Sequence, residues 1–420
     1  MPVVSDLLTS VFERRPRLTG SAKDDGRPMD ALIDALVGTA GEASGQMLAR
    51  IILDRYASLT DEEKLSFFRH LVEAMTINPD EVREAVDQYQ QDPSRSSYQR
   101  LKASVRPARV ELIGRLNKVP EGTSRLVAMR RDLLRLVKKD QSLAELDLDF
   151  KQLFGAWFNR GFLVLRPITW DSPAKILEKI IAYEAVHAID TWDELRRRIQ
   201  PKDRRCFAFF HPAMADEPLI FVEVALTKGV PGSIQTLLSE DRSELDDDQA
   251  NTAVFYSISN CQAGLASISF GNSLIKQVAA DLARELPGLR TFVTLSPIPG
   301  FTAWLRDARI SPDDDQLRSL AAHYLLNVKS DKGGPLDPVA RFHLGNGAQV
   351  HKLHADADTS DKGIDQSCGV MVNYLYNLGK VARNHERFAV QGKIAASSEV
   401  KALSETGRKL LTSNTAETLG

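Results

Sequence analysis

Residues 219–226 read LIFVEVAL, and the architecture turns on them. The run is rich in Val, Ile and Phe and alternates, which reads as a β-strand. Working outward, CFAFF (206–210), AVFYSIS (253–259) and TFVTL (291–295) have the same character, while NSLIKQVAADLAREL (272–286) has helical spacing. Strands and helices in this rhythm predict an α/β or α+β layer around a central sheet. The rhythm sets in after FLVLRPITW (162–170), and Ser172-Pro173 and Thr191 with Glu194 carry the chemistry of two helix starts.

Upstream the texture differs. From about residue 28 to 158 the apolar spacing is helical. Thr60 with Glu63 forms a capping box ahead of a stripe of Leu65, Phe68, Leu71, Val72 and Met75, and Asn78-Pro79 opens the next helix. Further helices follow from Pro107 and from about Glu121, the latter with Leu126, Met129, Leu133 and Leu136 on one face, and another covers SLAELDLDFKQLFGAWF (142–158). The basic run RRDLLRLVKK (130–139) reads as a solvated helix face, with a phosphate-binding strip as the alternative. The expected organisation is a helical domain over 1–160 and a sheet domain over 161–420.

With 420 residues, 43% apolar and a net charge of −2, the chain is sized for two or three globular domains and has no global pull toward nucleic acid or anionic membrane. The three cysteines, Cys206, Cys261 and Cys368, show no CxxC pairing, so neither a disulfide framework nor a zinc knuckle is indicated. The first residues carry Asp6 and Glu13 and no long apolar core, and no stretch approaches the length of a membrane span. A cytoplasmic protein is expected.

Three places can carry chemistry. In TLSPIPGF (294–301), Pro297 and Pro299 end a strand and hold Ser296 at its end, without the GxSxG frame of an α/β-hydrolase. In SISNCQAGLASISFGNSLIKQV (257–278), a strand passes through small residues into a helix, which suits an anion such as a pyrophosphate, although neither a Walker tail nor GxGxxG spacing is present. His343 precedes Gly345-Asn346-Gly347, a hairpin or turn signal. The nearby His351, His354, Asp356 and Asp358 invite a metal reading, but the two histidines of a strand there point to opposite faces and no further ligands complete a set. A solvated loop is expected.

Taken together, FFHPAMADEPLIFVEVALT, FYSISNCQAGLASISFG, TLSPIPGFTAWL, RFHLGNGA and SCGVMVNYLY resemble the malonyl-CoA decarboxylase family, in order and across most of 160–380. The resemblance implies an α+β chain: an all-α helical bundle serving oligomerisation, then a GNAT-like (acetyltransferase-fold) catalytic domain with a central mixed sheet. It places the catalytic serine on Ser296, the catalytic histidine on His343 and a site tyrosine on Tyr376. The coenzyme A loop falls on Ala266, Ser267, Ile268, Ser269, Phe270, Gly271 and Asn272, where the residues themselves suggest an anion site. Ser269 stands where animal members carry a glutamate, which puts an acidic role there in doubt.

The implied reaction needs neither metal nor organic cofactor, because the thioester of malonyl-CoA is its own electron sink. A homo-oligomer is expected. Two other readings use the same parts: a GNAT-type N-acyltransferase, which needs a second pocket for an amine, and a non-enzymatic acyl-CoA-binding protein.

Overall fold

The computed structural model describes residues 26–268, 274–331 and 333–417. The chain divides into two compact units. The first takes Met1–Val164 together with Phe210–Glu217 and Gln262–Ser269; the second takes Leu165–Phe209, Pro218–Cys261 and Phe270–Gly420.

The first unit is helical. Its helix Asp61–Ala74 begins as the spacing predicts, with Glu63 N–H donating to Thr60 Oγ1 and Thr60 N–H donating to the Glu63 carboxylate. Two orphan donors of the first turn are thereby satisfied. Of the expected stripe, Phe68, Leu71 and Met75 are buried and Leu65 and Val72 half-buried, and Phe67 joins them, packed on both Tyr56 and Phe68. Asn78 Oδ1 accepts from Asp80 N–H to start Pro79–Gln91. Helix Gly122–Val137 buries Leu126, Met129, Leu133 and Leu136, and Ala144–Trp157 buries Phe150 and Phe154. The basic run is not solvated throughout: Arg130 is fully buried.

In chain order the strands are β1 (Val164–Ile168), β2 (Arg204–His211), β3 (Met214–Thr227), β4 (Thr252–Asn260), β5 (Thr291–Thr294), β6 (Ser296–Pro297), β7 (Gln349–His354) and β8 (Met371–Leu375). They form one sheet in the order β1-β2-β3-β4-β5-β8-β6, with β7 on the other edge of β8. The sheet is mixed: β4 and β5 are parallel, joined by helix Leu274–Glu285, while β3/β4, β5/β8, β6/β8 and β7/β8 are antiparallel. Every residue of Leu219–Leu226 is buried, Glu223 included. The alternation therefore does not divide a buried from an exposed face, because the strand is covered on both.

β5 and β6 keep one register against β8, since Val293 faces Leu375, Ser296 faces Val372 and Pro297 faces Met371. The strand is interrupted at Leu295, resumes at Ser296 and ends at Pro297, where the proline predicts its end. Within the gap side chains replace the ladder: Asn373 Nδ2–H donates to Thr294 O at 2.8 Å and Tyr374 N–H donates to Thr294 Oγ1 at 3.1 Å. Proline, lacking an N–H, fits an interrupted ladder of this kind.

Candidate active site

Ser296, His343 and Tyr376 come from three elements of the second unit and meet. Ser296 opens β6. Tyr376 follows β8 and keeps its register, its N–H donating to Phe292 O at 2.8 Å. His343 is not on a hairpin; it lies in the last turn of helix Pro338–Gly345. The Gly-Asn-Gly signal is the end of that helix, where Gly347 has φ +85° and a Cβ would stand 2.1 Å from Val381 O. Glycine is required there on both counts.

The His343 ring is bonded at both nitrogens, Nε2 to Ser296 Oγ at 3.3 Å and Nδ1 to Tyr376 Oη at 2.8 Å. Ser296 O–H also donates to Thr294 Oγ1 at 2.9 Å. A hydroxyl has one hydrogen. With that hydrogen on Thr294, Ser296 Oγ accepts from His343 Nε2–H, and Nδ1 accepts from the Tyr376 hydroxyl. The chain of donors runs from phenol to imidazole to serine to threonine.

Burial sets its electrostatics. Ser296, His343, Tyr376 and Tyr374 are 6%, 2%, 1% and 0% exposed, and the Tyr374 ring stacks on the imidazole with centroids 4.5 Å apart. Desolvation lowers the His343 pKa to about 3, so the ring is neutral at physiological pH. The same cause pushes both tyrosine hydroxyls well above their ordinary value. The cluster holds no formal charge, and it presents neutral donors in a dry setting, where such dipoles act most strongly.

Asp337, fully buried, ties two of these elements together. Its carboxylate caps the His343 helix by accepting from Ala340 N–H at 2.8 Å, and it accepts from Gly300 N–H, in the turn after Ser296, at 3.3 Å. Thr294, Tyr374 and Asn373 are not singled out by the sequence reading, whereas Asp337-Pro338 has the same helix-start chemistry as Asn78-Pro79 and is missed there.

Of the expected coenzyme A loop, Ala266, Ser267 and Ile268 follow a 3-10 turn at Ala263–Leu265, and Ser267 has φ +65°. Ser269, Phe270, Gly271 and Asn272 lie outside the described residues. The histidine-aspartate stretch is spent on structure: His354 Nε2 bonds Asn373 Oδ1 at 2.6 Å, and Asp358 Oδ1 accepts from Gln235 and Ser360. Among the described residues no group of three or more His, Cys, Asp or Glu is placed to hold a metal ion, and no helix is long and apolar enough to cross a membrane.

Comparison with known proteins bears on the same segments. The family model described as malonyl-CoA decarboxylase C-terminal domain matches residues 161–318 and 314–415, and the N-terminal domain model matches 76–158. The crystal structure of malonyl-CoA decarboxylase from Agrobacterium vitis is 47% identical, with a TM-score of 0.85 over 89% of this chain and 99% of that one. That from Rhodopseudomonas palustris is 46% identical, with a TM-score of 0.84 over 89% and 98%. The mitochondrial malonyl-CoA decarboxylase of Anser anser anser is 36% identical over 343 residues, 69% of this chain and 68% of the relative.

Proposed function

The chain belongs to the malonyl-CoA decarboxylase family, and from that premise we propose that it is a carboxy-lyase converting malonyl-CoA to acetyl-CoA and CO2 through Ser296 and His343. The observation that carries the mechanism is the buried, uncharged chain from Tyr376 through His343 to Ser296. Breaking the bond between C2 and the carboxylate carbon releases CO2 and sends the bonding pair into the thioester, giving an enolate. On substrate binding the Ser296 hydroxyl turns from Thr294 to donate to the enolate oxygen, while His343 Nε2–H, donating to Ser296 Oγ, strengthens it as a donor. One such donor is worth roughly 10²- to 10³-fold in rate. The proton that C2 gains comes from solvent by way of Ser296 and His343, so the reaction consumes one proton. Tyr376, donating to Nδ1, keeps the ring's own proton on Nε2.

Because the thioester carbonyl accepts the electron pair, this chemistry needs no metal and no organic cofactor. Coenzyme A is held as part of the substrate, by the loop Ala266–Asn272. Assembly through the helical domain and a cytoplasmic location belong to the same proposal, although the animal relative is named as mitochondrial; sedimentation and cell fractionation check them.

The test is incubation of purified protein with malonyl-CoA under exhaustive chelation, with and without an amine acceptor. Acetyl-CoA and CO2 in equal amounts are expected in both. An acetylated amine would identify a transferase, unchanged substrate a binding protein, and activity lost to chelation and restored by zinc or manganese would overturn the metal-free mechanism.

A further inference from the structure

Resting on the proposed function, and specifically on the loop that holds coenzyme A, we infer that Arg130 of the helical unit is a positioning residue that sets the described start of this loop, residues 264–268, for the anionic part of the ligand. Arg130 is fully buried, and burying a guanidinium is costly unless its charge and its donors are met. Its charge is met by Asp147, with Nε to Oδ1 at 2.8 Å. Its Nη1 is used differently: it donates to Gly264 O at 2.6 Å and to Ala266 O at 3.0 Å, across 134 and 136 residues of sequence. Both groups it grips in this way are backbone carbonyls of the segment entering the loop.

The grip has a directional consequence. In a trans peptide the C=O and the N–H of the next residue point in opposite directions. Drawing the Ala266 carbonyl onto Arg130 therefore turns the Ser267 N–H away from the guanidinium, and this N–H is the donor assigned to the ligand's anionic group. Ser267 itself is held at φ +65°, a conformation a non-glycine residue keeps only when its surroundings impose it. Close packing supplies the rest of the constraint: a Cβ at Gly264 would stand 1.9 Å from Val127 O of the same helix. Arginine and glycine thus hold the loop's first half against one helix. Among the described residues Arg130 Nη2, also buried, has no hydrogen-bond partner, so they do not saturate the guanidinium.

The experiment uses the full chain. Wild type, Arg130→Lys and Gly264→Ala are compared by circular dichroism, by calorimetric titration with coenzyme A, and by steady-state kinetics with malonyl-CoA. Arg130→Lys keeps the charge and loses the fork. Both folded variants are expected to weaken coenzyme A binding and raise KM about tenfold or more, with kcat within about threefold of wild type, the pattern of lost uniform binding. A merely structural arginine would lower the melting temperature without that split. Wild-type affinity in either folded variant overturns the inference. Should neither variant fold, hydrogen exchange on the wild type decides: coenzyme A is expected to slow exchange across Gly264–Ile268, and unchanged exchange overturns the inference. A wild type that binds no coenzyme A overturns the proposed function and this inference with it, whereas wild-type binding with unaltered variants overturns this inference alone.

Discussion

Ser296 Oγ lies 3.3 Å from His343 Nε2, yet its hydroxyl hydrogen is committed to Thr294. The serine is an acceptor toward the histidine in the resting protein, and its oxygen is not being activated as a nucleophile. Ser296→Ala and His343→Ala should each lower kcat by roughly 10²-fold or more with smaller changes in KM, because both act on charge that develops in the transition state. The double variant should be little worse than either single one, since residues acting as a unit are not additive. Near-wild-type kcat in Ser296→Ala would leave a rigid strand end and nothing more.

His343 should stay neutral across the working range. Its pKa is lowered by burial to about 3, so its imidazole resonances, assigned by difference from His343→Gln, should not titrate in NMR spectra between pH 5 and 8. Replacing Tyr376 with Phe removes the donor to Nδ1 and leaves the ring free to move its proton there; kcat should fall roughly tenfold or more, with the ¹⁵N shifts of the two ring nitrogens exchanging character. A titration near pH 6.5 would show that water reaches the ring and would undo the neutral-donor mechanism.

Much of this was open to a sequence reader, and the division follows the range of the forces involved. Local rules wrote the capping box at Thr60 and Glu63 and the apolar run at 219–226, so both were legible. The likeness of TLSPIPGF and RFHLGNGA to a family singled out Ser296 and His343. What the sequence hid is set by tertiary packing. Nothing in RRDLLRLVKK distinguishes buried Arg130 from its solvated neighbours, since its partners Gly264 and Ala266 lie far along the chain. Gly345-Asn346-Gly347 reads as a hairpin or turn, whereas it ends the helix that carries His343, with Gly347 packed against Val381. Pro297 reads as a strand terminator and is one, but the interruption at Leu295, bridged by Asn373 and Tyr374 from far along the chain, is not legible locally.

Asp337 touches no part of the Ser296–His343–Tyr376 chain, but its two oxygens fix the helix that carries His343 and the turn that follows Ser296. Asp337→Ala leaves the Ala340 and Gly300 amides short of an acceptor, which should destabilise the protein by about 1–3 kcal/mol. It should also reduce kcat more than KM by loosening the spacing of the pair. Asp337→Asn, which keeps one oxygen acceptor, should recover much of the stability and part of the kcat. Equal loss in both variants, or a stability change with kcat untouched, would confine Asp337 to helix capping.

Glu223, the one acid in LIFVEVAL, makes the last prediction. It is fully buried on β3, opposite Ser257, where a bulge in the pairing with β4 follows it. Burial first, and then the neighbouring Glu184, raise its pKa from 4.5 to about 8, while Arg198, with Nη1 3.3 Å from Oε2, pulls the other way and does not prevail. Arg198 is shared, since it also donates to the carbonyls of His187 and Ala188. Glu184 meanwhile accepts from the hydroxyls of Ser257 and Ser259. A folded pKa above the unfolded one means that the folded state binds the extra proton between them, so the stabilising contribution is complete below about pH 4.5 and is lost as the pH rises through 8. Urea midpoints of the wild type should therefore fall as the pH is taken from 5 to 9. Glu223→Gln, which mimics the protonated carboxyl in shape and charge, should remove much of that decline while leaving kcat near wild type. A wild-type decline that persists unchanged in Glu223→Gln would assign the pH dependence to other groups and mean that Glu223 is ionised in the folded protein, held by Arg198 against the cost of burial.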